Sequence, residues 1–165
     1  MFELKPLRGA VGPARAKAHR YRLLNEPGEA ESICLDVLAV EPANQEALAT
    51  LLLALTDQFE RDMAGRVQRA REVAGRLAGE YERAYYSGVI CERRAKAVMR
   101  QGRPSAGAIA YDHFVEAMAW FEKADALRPP DNDDATLRWN ACARKVMDNQ
   151  EVRQRVADPY EPELE

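Results

Sequence analysis

Isoleucine and threonine are scarce in this 165-residue chain, and valine is outnumbered by alanine, leucine, arginine and glutamate. No stretch alternates apolar and polar residues as a half-buried strand would, so a β architecture is excluded by composition and by period. Long apolar runs are missing too. The longest, Leu48–Leu55, is far short of the roughly 20 residues that cross a bilayer. The first twelve residues lack the apolar stretch of a secretory signal. There are three cysteines, Cys34, Cys91 and Cys142, widely separated and each set in a helical apolar pattern. An odd, scattered set excludes a disulfide framework and zinc spacing, and reads as buried thiols in a reducing compartment. A cytoplasmic protein is expected.

Catalytic signatures are equally thin. Neither His19 nor His113 has a glutamate three places before it, which excludes the paired motif of a helical di-iron site. His113 and Glu116 make only a one-turn pair. No glycine-rich phosphate loop and no Gly-x-Ser-x-Gly elbow occurs. The acidic run Asp131–Asp134 has no calcium-loop spacing and reads as a helix cap. No metal, no cofactor and no enzymatic activity are expected.

Charge is balanced overall but not locally. Charged residues make up 31% of the chain and the net charge is -3, which speaks against general nucleic-acid binding. The first 25 residues nevertheless carry Lys5, Arg8, Arg15, Lys17, Arg20 and Arg22 against Glu3 alone. Residues 158–165, "DPYEPELE", are acidic and broken by two prolines. They lie in an acidic tail, 153–165, that is expected to be poorly ordered.

What the chain has in abundance is helical period. Apolar residues recur at spacings of three and four almost throughout, interrupted at "NEPGE", "EPAN", "TDQFERD", "QGRPSAGA" and "RPPDND". These breaks predict seven helices near 13–25, 28–40, 44–57, 61–78, 80–100, 108–127 and 133–152, forming one all-α domain over residues 1–152. The third is apolar on most of its surface, through Leu48, Leu51, Leu52 and Leu55, and should touch neighbours on more than one side. From Met63 to Val98 the apolar spacing runs on without interruption, which also fits a single long helix. Gly79 is the expected bend between two.

Two of the helical segments echo each other. "AESICLDVLAVEPANQEA" from Ala30 and "AMAWFEKADALRPPDNDDA" from Ala117 share small or apolar residues at the same offsets and a proline twelve places on. Small residues permit close helix approach, and a proline cannot continue a helix. With Pro42 as the closing proline, Ala18, Tyr21, Ala30, Cys34 and Val37 take the repeat positions of a first helix pair. With Pro129, the positions fall on Ala117, Phe121 and Ala124, with Gly88 at the small place of the partner helix. This pattern resembles the tetratricopeptide repeat (TPR) family, whose period is about 34 residues. The resemblance implies a right-handed superhelical stack of about three helix pairs, near 11–44, 45–80 and 80–129, with a capping helix after Pro129. The third pair is enlarged, either in its first helix or in the loop around Gln101–Ala108.

The resemblance also implies a function. Such stacks bind a protein or peptide segment in a concave groove lined by the first helix of each pair. The corresponding positions here are Arg15, His19, Arg22 and Leu23, then Glu46, Ala49, Leu53 and Thr56, then Tyr85, Val89 and Glu92. Arg15 and His19 stand where a lysine and an asparagine grip a terminal carboxylate in the best-known subfamily, and Ala49 and Thr50 where another asparagine falls. That departure argues against chaperone tails. The basic first helix points to an acidic partner, with Tyr85 and Tyr86 as aromatic anchors. The second reading is a homo-oligomer formed through the apolar third helix or the 63–98 seam.

Overall fold

The computed structural model of the chain describes residues 1–155. Among them the chain forms seven α-helices and no strand: α1 (Val11–Leu23), α2 (Pro27–Val40), α3 (Gln45–Thr56), α4 (Met63–Gly75), α5 (Glu80–Arg100), α6 (Ala106–Ala126) and α7 (Asp134–Asp148). The all-α expectation holds, with every predicted helix present.

Local chemistry sets the boundaries. Pro27 occupies the first turn of α2, where its missing N–H is no loss. Asn44 caps α3 by accepting from the Ala47 N–H at 3.0 Å, and Asp62 caps α4 by accepting from Gly65 at 3.2 Å. Asn25 and Asp131 take positive φ, 60° and 61°, in the turns after α1 and α6. Both residue types tolerate that conformation better than most. The 63–98 seam is two helices, broken over Arg76–Gly79.

Each helix packs on the next in sequence, and α1 also touches α3 while α3 touches α5. One core joins α1 to α4 with Ile90 and Ala97 of α5; a second joins α5, α6 and α7. Leu53 and Tyr86 pack against both, so the two are continuous. The echoed positions sit at the centres of these cores. Ala18, Ala30, Cys34 and Val37 are buried in the first half, as are Ala117, Phe121 and Ala124 in the second. Gly88 lies flat against the Phe121 ring: a Cβ there would come within 2.6 Å of it.

The extra length around Gln101–Ala108 goes into helix rather than loop. α5 and α6 have 21 residues each against 13 and 14 for α1 and α2, and only Gln101–Ser105 separates them. The extra turns of α5 run beside the α3–α4 connection, where Ala97 shares a core with Phe59. α7 stops at Asp148 rather than Val152. The segment after it folds back on the start of α6, burying Val152 and bringing the Glu151 carbonyl against Gly107. Most of the expected acidic tail, residues 156–165, lies outside the described residues.

Candidate functional site

Helix pairs joined by short turns leave helices two apart in the chain as near neighbours, and ionic side chains bridge them. Asp57, at the C-terminal end of α3, accepts from Arg22 Nε of α1 at 2.6 Å and from Arg93 Nη1 of α5 at 2.8 Å. One carboxylate thereby ties α1, α3 and α5. Glu31 of α2 receives Arg66 at 3.1 Å and Arg69 at 2.7 Å from α4, and Gln58 donates to it at 2.9 Å. Glu92 of α5, only 2% exposed, accepts from Arg138 Nη1 of α7 at 2.9 Å and from Lys96.

Electrostatics follow from these partners. Burial pushes the Glu92 carboxyl up, but the Lys96 hydrogen bond and the Arg138 and Lys96 charges outweigh it and hold the group below its ordinary range. Glu31 is likewise lowered: burial opposes, while Gln58, Arg69 and Arg66 prevail. Glu92 in turn holds Arg138 protonated more firmly than usual, against the effect of burial.

On the face carried by α1, α3 and α5, a cleft of about 560 Å³ opens where α1 and α3 end and α5 continues. Its walls include Arg22 and Leu23 of α1, Thr56 and Asp57 at the end of α3, Glu60 beyond it, and Arg93, Lys96 and Arg100 of α5. Arg22 and Arg93 share the one Asp57 carboxylate, and Arg100 reaches Glu60 at 2.7 Å. Lys96 is turned toward Glu92. The walls thus hold four cations and two carboxylates, with buried Glu92 behind them as the partner of Lys96. Leu23 stands at the rim, 71% exposed.

The sequence-derived groove positions divide into three groups. Arg22, Leu23 and Thr56 meet in the cleft. Arg15 and Glu46 also meet, in a 2.6 Å ion pair about 10 Å back along α1, with exposed His19 on the same helix and half-buried Ala49 on α3. Leu53, Tyr85, Val89 and Glu92 belong to the packing instead. Val89 is fully buried and Leu53 joins both cores. Tyr85 lies among Tyr81, Tyr86 and Phe121, and its hydroxyl accepts from Arg138 Nε at 3.1 Å. For Tyr85 and Glu92 the reason is Arg138 of α7, which reaches both side chains.

Arg93, Lys96 and Arg100 escaped the reading of the sequence. Their spacing of three and four places them on one side of α5, a signal present in "ERRAKAVMR" but identical to that of a solvated helix face. Among the described residues, no group of three His, Cys, Asp or Glu side chains comes together as a metal-holding set. None of the helices is long and apolar enough to cross a membrane. Compared with protein-family models, curated proteins and solved structures, the chain matches none of them.

Proposed function

We propose that this chain is a non-enzymatic, TPR-like interaction module that holds an acidic protein segment in the cleft between α1, α3 and α5. The observation that carries the reading is the excess of cation in the cleft walls, where Arg22 and Arg93 share the single Asp57 carboxylate beside the exposed Arg100. A cleft of one dominant sign attracts and orients segments of the other. The contacts of α1 with α3 and of α3 with α5 are of the kind a stack of helix pairs would make, and they support this reading.

Burial of the two surfaces named for self-association favours this reading over that one. Leu48, Leu51, Leu52 and Leu55 of α3 are buried by the chain's own α1, α2 and α4 neighbours. Val67, Ala70, Ala74, Ala84, Cys91 and Ala95 of the seam are buried as well. Little of either remains for a second copy.

The test is fluorescence anisotropy with a labelled peptide of alternating glutamate and leucine. Affinity should fall steeply with salt and should drop in Arg100→Glu, whose side chain is exposed at the cleft. Lys17→Glu, exposed on α1 and absent from the cleft walls, should leave it nearly unchanged. Binding that ignores both salt and Arg100→Glu overturns the proposal.

A further inference from the structure

Beyond the last described residue the sequence is acidic. Residues 156–165 hold Asp158, Glu161, Glu163 and Glu165 and no cation. We propose that this C-terminal segment of the same chain occupies the α1–α3–α5 cleft and competes with an acidic partner for it. The inference rests on the cleft being the binding face proposed above, and it adds a regulator of that face.

Position, length and charge support it independently. The last described segment returns from α7 to the C-terminal end of α5, where Gln150, Glu151 and Arg153 border a hollow with Met99, Gly102 and Arg103. Arg100, on the next position of that helix, is already a wall of the cleft. From Met99 back to Arg93 is about 9 Å of helix rise. Ten extended residues span up to about 33 Å, so the segment can pass Arg100 and Lys96 and still reach Arg22. Four carboxylates would meet Arg22, Arg93, Lys96 and Arg100, of which the first two share a single counter-charge. Tyr160 and Leu164 give the segment apolar side chains to set against Leu23 at the rim. Pro159 and Pro162 reduce the freedom lost on ordering. Tethering raises the local concentration of such a segment to the millimolar range, enough for weak contacts to persist.

The experiment places a nitroxide on the full chain at Tyr160→Cys. The native thiols Cys34, Cys91 and Cys142 are buried, so the label goes to the new one. Amide signals of Leu23, Asn25 and Glu60, on the far side of the cleft, should be attenuated, and should recover at high salt as screening shortens. Attenuation confined to the neighbourhood of Met99–Ala108 overturns the proposal. So does attenuation that passes to an unlabelled, isotopically enriched chain in a mixed sample, because the segment then belongs to a second copy.

A second measurement uses the glutamate–leucine peptide on a full chain carrying D158N, E161Q, E163Q and E165Q. Removing the competitor should tighten peptide binding about fivefold, the scale expected for a weak tethered ligand. Equal affinity for both chains sinks the tail and leaves the binding face standing. If neither chain binds the peptide, the functional reading fails, and the nitroxide result alone decides where the segment lies.

Discussion

Arg138 on α7 and Glu92 on α5 stand 46 residues apart in sequence and 2.9 Å apart in space, the arginine donating to a carboxylate that solvent scarcely reaches. The pair fastens the final helix across the long one. Removing the arginine leaves a buried carboxylate with Lys96 as its remaining partner, and a hydrogen bond to a charged group is worth about 1.5–3 kcal/mol. Arg138→Met should therefore lower the unfolding free energy by that order, read from urea denaturation as a lower midpoint. Replacing both, Glu92→Met with Arg138→Met, should recover most of the loss, because a buried ion pair often does no better than apolar side chains of similar volume. A double variant as unstable as the sum of the single ones would show that α7 is held by something else.

Acid should loosen the array in two stages with separate causes. His113 has its pKa lowered from 6.5, first by burial and then by the Arg94 charge, so the unfolded chain takes up its proton before the folded one does. Stability from this group is complete above about 6.5 and declines as pH falls through the lower folded value. Glu92 and Glu31 are held below their ordinary 4.5, so their contribution is complete above that pH and is lost as pH falls further. In urea unfolding from pH 7 to 3, His113→Gln should flatten the upper limb and Glu92→Gln the lower. Curves parallel to wild type across the whole range contradict the assignment.

One glycine substitution should cost stability where another should add it. At Gly88 a new Cβ would meet three atoms of the fully buried Phe121 ring at 2.6–3.0 Å. Overpacking of this kind costs roughly 1–3 kcal/mol, more than the helix propensity that alanine brings. At Gly75, near the end of α4, nothing lies within 4 Å of the same atom. Gly75→Ala should raise stability by about 0.4–1 kcal/mol through a less flexible unfolded chain. Thermal melts of the two variants must shift in opposite directions; a stabilised Gly88→Ala removes the close α5–α6 contact from the account.

The same pair of residues shows what could be read in advance. Gly88 and Phe121 each occupy a recurring position, one small and one large, and elementary packing says that such positions meet. The all-round apolarity of α3 likewise announced a helix with neighbours on several sides. Periodicity is a local property, however, and Glu92 illustrates its limit. A glutamate within a helix reads as an outward-facing residue unless its counter-ion is known, and here that counter-ion comes from the last helix. Val89 and Tyr85 read as open-face positions for the same reason, since nothing near them in sequence records the distant residues that cover them. The enlargement of the third pair was visible as extra length, but helix length is set by how far partners extend together. α5 and α6 support each other for 21 residues, which neither sequence segment states alone.

The three thiols offer a probe of whether the two cores open together. Burial, with the Glu31 charge adding to it, pushes Cys34 up to about 11. Burial does the same to Cys91, assisted by Glu116, and to Cys142, assisted by Glu92, taking both to about 12. The thiolate is the reactive form, so a native chain at pH 8 should react with Ellman's reagent far more slowly than free cysteine does, and should release three equivalents in denaturant. The raised values also mean that stability is complete below about 9 and falls as pH rises towards the folded values, since the unfolded chain loses these protons first. Cys34 lies in α2, between α1 and α3, whereas Cys142 lies in α7 at the end of the array. End elements open at lower free energy than flanked ones. Alkylation in mild urea, followed by mass spectrometry of the labelled peptides, should therefore mark Cys142 before Cys34. Equal rates at both cysteines would mean that the helices unfold as one unit, with α7 no more easily released than α2.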